Sequence, residues 1–344
     1  MELYWINLLL VLFWGILQEL NGNLRAKRAI SACMVAQLLL FSVLRHETVG
    51  SDTIQYINMF EHIANSNINL WELTFGDIEP GYVLLNYLIG LIDLDSRFFI
   101  IVMGVLILFP FVLLIERYST KPWLSYYLFI CLGFYNNSMF IYRQFMAIAV
   151  LVLALDFILR RKMVCFVLSV LLAVCFHRTA IIFLPLYWIY SLKINRGYLF
   201  KALLVGGLIF VLGPELIRIA NKYARIQYEI GYSGGRTYLF MLLFLVWVLF
   251  MRLKEYLSDS RLKLFFHMLV LATLFQVLSL QMELFIRVVY YFVYSLIVLV
   301  PYAISACKSE FRPPVVVAAC LFFAILYWAN LQGEWTVAYK FMWE

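Results

Sequence analysis

Apolar runs separated by short polar segments fill most of this 344-residue chain. Because an α-helix needs about 20 apolar residues to cross the hydrocarbon core of a bilayer, such runs predict membrane-spanning helices. Several of the runs are shorter than this, which predicts that some of the helices are broken. The twelve runs lie near residues 3–20, 27–44, 98–115, 123–135, 140–159, 163–176, 180–192, 199–213, 237–251, 265–281, 285–305 and 314–331.

A further apolar run, 81–92, is too short for an ordinary span and is followed by Asp93, Asp95 and Arg97. It either crosses the membrane as a thirteenth span or forms a re-entrant or interfacial helix. Cytoplasmic loops are enriched in Lys and Arg. The basic clusters at 160–162 and 252–263 lie on the cytoplasmic side only if the 81–92 run does not cross and the chain begins outside. The charge distribution therefore favours twelve spans with both ends outside, plus a re-entrant or interfacial helix near 81–92.

The composition agrees with a membrane protein. Apolar and aromatic residues make up 65% of the chain and charged residues 14%, whereas soluble domains are about 45–50% apolar and about 25% charged. This excludes a soluble enzyme, a nucleic-acid-binding module and a cytoplasmic scaffold, and the net charge of +7 is explained by the cytoplasmic loops. We predict an all-α, polytopic membrane bundle with one transmembrane domain, 1–344, and long external loops at about 45–80 and 213–236.

Two arginines within apolar runs are the first candidates for chemistry. An arginine at membrane depth costs at least about 2.5 kcal/mol unless it is paired or faces water. Arg143 has no acidic residue within four positions, which favours a ligand or a distant partner. Arg287 has Glu283 four residues earlier, so an ion pair within one helix is the alternative there. Tyr290 and Tyr291 follow Arg287, and such a face suits a phosphate-bearing lipid headgroup, although an aromatic packing face is an equal alternative.

Three residues on the predicted outer side are candidate proton acceptors. They are His177, at the end of one apolar run, and the carboxylates Asp52 and Glu79 of the first external loop. The alternatives are a hydrogen-bonded structural histidine and carboxylates that cap helix N-termini. No metal-binding or nucleotide-binding motif is present, so we predict neither a metal nor a cofactor.

The second external loop carries a basic stripe. Arg218, Lys222 and Arg225 are spaced to share one helix face, and Arg236 follows Gly234 and Gly235. The stripe is either a solvated surface or a guide for an anionic lipid or a glycan.

Taken in chain order, these motifs resemble the EpsG-like branch of the Wzy-type polysaccharide polymerases. The similarity covers nearly the whole chain through short motifs in a fixed order. They are Asp52-Thr53 with Tyr56 and Phe60, Glu79-Pro80-Gly81-Tyr82, Tyr142-Arg143-Gln144 with Ala147, Phe176-His177-Arg178-Thr179-Ala180, Arg287 with Tyr290-Tyr291-Phe292, and Tyr339-Lys340-Phe341.

The resemblance implies a GT-C-like glycosyltransferase of the bacterial inner membrane whose active site faces the periplasm or exterior. Such enzymes transfer a glycan from undecaprenyl diphosphate to the non-reducing-end sugar of a lipid-linked oligosaccharide acceptor. The implied partners are these substrates, membrane lipids and a Wzz-type chain-length regulator. An O-antigen ligase, another lipid-linked-sugar glycosyltransferase, or a flippase or transporter are the alternative functions.

The resemblance also assigns roles to residues of this chain. Arg143 and Arg287 would bind the diphosphate, with Arg178 and Arg225 in support. One of Asp52, Glu79 and His177 would be the base, and the sequence does not rank them. The substrate cavity would contain Tyr56, Tyr142, Gln144, Tyr290, Tyr291 and Arg236.

Overall fold

Each of the twelve apolar runs coincides with a helix or a pair of helices in the computed structural model. The structure describes residues 1–66, 78–223, 235–282, 285–333 and 337–344. The α-helices are α1 (Glu2–Leu20), α2 (Leu24–Val43), α3 (Thr53–Ala64), α4 (Pro80–Gly90), α5 (Ser96–Tyr118), α6 (Pro122–Cys131), α7 (Phe134–Ser138), α8 (Tyr142–Leu159), α9 (Met163–Val174), α10 (Leu186–Ile189), α11 (Arg196–Tyr223), α12 (Arg236–Leu253), α13 (Ser260–Ser279), α14 (Ile286–Val293), α15 (Leu296–Ser305) and α16 (Arg312–Leu331). Short 3₁₀ helices cover Arg178–Phe183 and Ser309–Phe311.

Within the described ranges, seven helices are long and apolar enough to cross a membrane, and α14 with α15 form an eighth span if the pair is counted as one. That pair is bent by 43° at its break. Three further apolar helical segments are shorter: Met163–Val174, Arg178–Ile189 and Tyr238–Leu253. The all-helical membrane fold is therefore established, while the number of twelve spans stays a prediction.

Local backbone chemistry explains one of the breaks. The run near 123–135 begins as α6 but ends at Cys131, because Gly133 adopts a positive φ of 79° that a continuing helix cannot accommodate. The chain then makes the short helix α7 before α8 starts at Tyr142. This break directs the polar residues of α7 towards the same end of the bundle as the start of α8.

Helices α8 and α13 form the centre of the bundle. Two-thirds of each is buried (67%), whereas only 11% of the apolar window of α11 is buried. Leu203, Leu208 and Val211 of α11 are instead more than half exposed. An exposed apolar helix of this kind is typical of a surface that faces lipid.

The first predicted external segment, 45–80, contains α3, and α4 begins where it ends; both helices pack on the bundle. Gly90 of α4 lies so close to Ala64 of α3 that a Cβ there would be 2.4 Å from the alanine methyl. Phe60 of α3 stacks on Phe99 of α5 with ring centroids 4.7 Å apart. The helix expected near 81–92 is therefore present as α4, and at 1.5 Å per residue its length of about 16 Å is too short to cross a bilayer.

The second predicted external loop, 213–236, is largely helical where it is described. Helix α11 continues through Tyr223, and α12 begins at Arg236. The helix agrees with the helical spacing predicted for Arg218 and Lys222, while the external placement of 213–236 stays a prediction. Polar residues continue a helix as well as apolar ones do, even though they leave the bilayer.

The segment 337–344 closes the end of the bundle at which α2 ends. Lys340 O accepts a hydrogen bond from His46 N at 2.9 Å, and Met342 N donates to Leu44 O at 2.8 Å. The Tyr4 hydroxyl donates to Val337 O at 3.0 Å. We call residues 337–344 the closing segment.

Candidate active site

A buried carboxylate lies at the centre of the candidate site. Glu79 Oε2 accepts a hydrogen bond from Arg143 Nη1 at 2.8 Å, and Oε1 accepts one from Arg178 N at 3.3 Å. His177 Nδ1 lies 3.4 Å from Oε1, within ion-pair distance but not aligned as a hydrogen bond. The Glu79 side chain is 5% exposed, and that of Arg143 is 30% exposed. We call Glu79, Arg143, His177 and Arg178 the Glu79 cluster.

The local sequence around Glu79 explains how the cluster forms. Glu79 is the residue before α4, and Pro80 starts the helix at a position where no backbone donor is needed. Gly81 N then donates to Cys175 O at 2.8 Å, which holds the start of α4 against the end of α9. His177 comes directly after this contact, so the two backbones bring its ring to the carboxylate.

Glycine is needed at position 81 because the two backbones approach so closely. A Cβ there would lie 2.8 Å from Cys175 O, a contact that requires one backbone to move. We expect Gly81→Ala to destabilise the protein by about 1–3 kcal/mol and to lower activity by displacing Glu79. Thermal unfolding in detergent would measure the first effect. Gly22→Ala is the matched control, since a Cβ at Gly22 meets nothing within 4 Å; equal effects of both changes would contradict the argument.

The surroundings of Glu79 keep its carboxyl group ionised. Burial alone would raise the pKa, but this is outweighed by the contact with His177, the backbone amides of Glu79 and Arg178, and the charge of Arg143. Together they lower the pKa of Glu79 to about 2. Such a carboxylate holds cations in place but accepts protons weakly near neutral pH.

A pH dependence of stability follows from this pKa. The folded-state pKa of about 2 lies below the ordinary carboxyl value, so ionised Glu79 stabilises the fold above about pH 4.5 and this contribution is lost as the pH falls towards 2. The full contribution is about 3 kcal/mol. We expect the stability advantage of the wild type over Glu79→Gln to shrink between pH 6 and pH 3, as measured by unfolding in detergent. A stability difference between the wild type and Glu79→Gln that stays constant with pH would show that ionised Glu79 does not stabilise the fold.

Tyrosine rings surround the Glu79 cluster on one side. The Tyr56 ring lies 5.2 Å from Tyr142 and 5.9 Å from Tyr82, and the charge of Arg143 acts on the Tyr56 hydroxyl. The Tyr82 hydroxyl and Arg143 Nε are buried polar atoms without a hydrogen-bond partner among the described residues, whereas His177 Nδ1 faces Glu79 Oε1. Buried polar groups are normally paired. These two atoms are therefore candidates for pairing with a ligand.

Gln144 connects this site to α14. Its Nε2 donates to the backbone oxygen of Arg287, which brings the start of α8 to the start of α14. The hydroxyls of Thr179 and Tyr291 are 3.1 Å apart, so the segment after His177 also contacts α14. The Arg287 side chain is exposed.

The other predicted site residues lie at the starts of α3 and α12 or outside the described part. Asp52 precedes α3, accepts a hydrogen bond from Ser51 Oγ at 2.9 Å, and its charge acts on the Tyr56 hydroxyl. Arg236 is exposed at the start of α12. Arg225 and Glu283 lie outside the described residues.

Sequence analysis missed one buried arginine at this end of the bundle. Arg45 is fully buried, and its guanidinium donates to Ser42 O, to Met139 O at 2.6 Å and to the Tyr142 hydroxyl. Through Met139 and Tyr142 it fixes the chain on both sides of the turn that leads to Arg143. The sequence signal for this role was that Arg45 directly follows an apolar run. Hydropathy does not reveal, however, whether the side chain of such a residue points into the protein.

Comparison with known proteins identifies the family. A family model described as the EpsG family matches residues 28–341. The chain belongs to the EpsG family. No curated protein and no solved structure matches the chain significantly.

Members of the EpsG family are Wzy-like polysaccharide polymerases. Membership therefore indicates a membrane protein that acts as a glycosyltransferase-type polysaccharide polymerase. The matched range includes the whole Glu79 cluster and α14. The resemblance noted from the motifs is thus confirmed at the level of the family.

Proposed function

We propose that this EpsG-family protein polymerises oligosaccharide repeat units carried on undecaprenyl diphosphate, at the outer face of a bacterial inner membrane. The observation that carries the proposal is the Glu79 cluster, in which a partly exposed arginine is held by a buried carboxylate beside a histidine. Cations held in this way suit a diphosphate, and the histidine suits a hydroxyl nucleophile. The outward orientation is supported by the basic clusters at 160–162 and 252–263, which are typical of cytoplasmic loops.

In the proposed reaction, a hydroxyl oxygen of the non-reducing-end sugar attacks the anomeric carbon of the donor glycan. The bond between that carbon and the diphosphate oxygen breaks, and the lipid diphosphate leaves with the electron pair. Arg143 and Arg287 stabilise its negative charge, and Arg178 and Arg225 support them. The reaction needs no metal or cofactor because the donor is already activated and arginines supply the positive charge.

His177 is our choice for the group that accepts the hydroxyl proton. An imidazole is the side chain that most often serves as a general base, whereas Glu79, with a pKa of about 2, is a weak acceptor. We assign Glu79 to positioning Arg143 and His177. Asp52 lies beside Tyr56 and is the second choice.

The remaining parts of the proposal concern the whole molecule. We propose twelve spans in a GT-C-like arrangement, with the three shorter apolar segments and the α6–α7 pair crossing as broken helices. A Wzz-type chain-length regulator is the proposed protein partner.

The test is reconstitution of the purified protein with its lipid-diphosphate-linked repeat unit, without added metal or nucleotide. We expect a ladder of polymer on a gel, and Arg287→Ala should weaken it at least 10-fold if Arg287 contacts the diphosphate. Deletion of the gene should leave single repeat units on the lipid. Polymer that accumulates on undecaprenyl diphosphate in the deletion strain would instead indicate a ligase. Transport into sealed vesicles without elongation would indicate a flippase.

A further inference from the structure

A cavity lies between the break that follows α6, the start of α14 and the closing segment. It has a volume of about 340 Å³, which is within the range of small-molecule sites. Three asparagines and four tyrosines are among the residues that line it: Asn136, Asn137, Asn330, Tyr4, Tyr238, Tyr290 and Tyr327. We call it the amide cavity.

The break between α6 and α8 creates the amide cavity. Gly133, with its positive φ, separates α6 from α7, and it lines the cavity together with Asn136 and Asn137 of α7. The Asn136 side chain makes only one long hydrogen bond. Its Nδ2 donates to the Tyr327 hydroxyl at 3.4 Å, and its buried Oδ1 has no partner among the described residues. Without this break, Asn136 and Asn137 would not both line the cavity.

The lining chemistry determines what the amide cavity can bind. None of the described residues that line it is charged, and a diphosphate requires arginine or lysine. Amides provide both donors and acceptors, as sugar hydroxyls do. Tyrosine rings offer flat faces against which the C–H face of a pyranose packs. The cavity therefore suits an uncharged sugar and disfavours an anion.

The position of the amide cavity relates it to the arginines. Ile286 lines the cavity and directly precedes Arg287, and Phe140 lines it three residues before Arg143. Tyr290 lies one helical turn after Arg287 and also lines the cavity. A substrate whose diphosphate contacts the arginines would therefore reach the cavity with its saccharide.

We propose that the amide cavity is a saccharide subsite that binds a neutral sugar of the repeat unit and contributes to the choice of repeat unit. This rests on the proposed function, since it assigns the sugar-binding part of the same substrate. Asn136 and Asn137 are the specificity-determining residues, and Tyr290 and Tyr327 form the walls.

The test measures sugar binding separately from polymerisation. Saturation-transfer NMR on the purified protein would use the methyl glycosides of each neutral and acidic sugar in the repeat unit, and inorganic pyrophosphate as the anionic probe. We expect a neutral glycoside to bind the wild type and to bind at least 10-fold more weakly to Asn136→Ala and Asn137→Ala. Pyrophosphate binding should be unchanged in these two variants and weakened in Arg143→Ala.

The controls separate binding from folding. Asn65→Ala changes an exposed asparagine outside the cavity, whose Nδ2 donates to Glu61 O at 2.7 Å, and should bind the glycoside as the wild type does. Should an alanine variant fail to elute as a folded protein, Tyr327→Phe removes a single hydroxyl and should weaken binding about 3-fold or more.

Each result is decisive. No neutral glycoside bound by the wild type, equal binding by the asparagine variants, or preference for an acidic glycoside would overturn the amide cavity as a neutral-sugar subsite. If the wild type forms a polymer ladder but the asparagine variants bind the glycoside as well as the wild type does, the proposed function stays intact. If the asparagine variants bind the glycoside more weakly but the wild type forms no ladder from active substrate, the subsite is retained and the polymerisation is rejected.

Discussion

Arg143→Ala is expected to reduce polymer formation about 10²–10³-fold, because it removes a preorganised cation from the departing diphosphate. Arg143→Lys should recover part of the loss, since lysine supplies a point charge but no planar fork for two phosphate oxygens. The measurement is the initial rate of ladder formation by the purified variants on the lipid-linked repeat unit.

Arg160→Ala is the matched control for this prediction. Arg160 follows the last residue of the same helix α8, its side chain is 59% exposed, and its nearest carboxylate, on Asp156, is 3.9 Å away. Its loss should leave the rate unchanged. A full-rate ladder from Arg143→Ala would remove Arg143 from the proposed diphosphate site.

Glu79→Ala is expected to have the second largest effect, on both stability and activity. Loss of the carboxylate leaves Arg143 without its ion-pair partner in a site that is 30% exposed, which should cost about 2–3 kcal/mol. Activity should fall about 10²-fold, because Arg143 and His177 lose the group that positions them. Unfolding in detergent and the rate of ladder formation measure the two effects.

Two further variants distinguish positioning from simple loss of stability. Glu79→Ala with Arg143→Met should regain stability but not activity, because no uncompensated charge remains. Asp156→Ala removes a carboxylate that contacts Arg117 and Tyr118 at the far end of α8, so stability should fall while the ladder persists. Recovery of the ladder in the double variant would refute the assigned roles of Glu79 and Arg143.

The helices and the existence of breaks in them were largely predictable, whereas the positions of the breaks were not. Hydropathy averages composition over a window, and it placed a helical segment at every apolar run. It could not place the end of α6 at Cys131, which depends on the backbone angle of Gly133. The continuation of α11 to Tyr223 was indicated only by the helical spacing of Arg218 and Lys222, because helix formation does not stop where apolarity stops.

Part of the candidate site was predictable from the pattern of apolar runs and the distribution of charge. Glu79, Arg143 and His177 are polar residues at the borders of apolar runs, and the charge distribution placed all three borders on one side of the membrane. Their pairing was not predictable, because it depends on the contact of Gly81 with Cys175, which joins segments far apart in sequence. Arg45 was overlooked as a site residue for the same reason, as Met139 and Tyr142 are its partners across the fold.

The closing segment has a consequence for biogenesis. The loop after α2 is among the first parts of the chain to be synthesised, yet its partner Lys340 emerges nearly 300 residues later. Contacts between such distant positions form late, because the intervening chain must be ordered first. Arg45 pairs with Phe341 of this segment through their backbones and contacts Tyr142 through its side chain, so this end of the bundle would mature only after α16 is inserted. A bulky reporter fused directly after Trp343 would therefore disturb maturation of the site more than one placed near Gly22, far from these contacts.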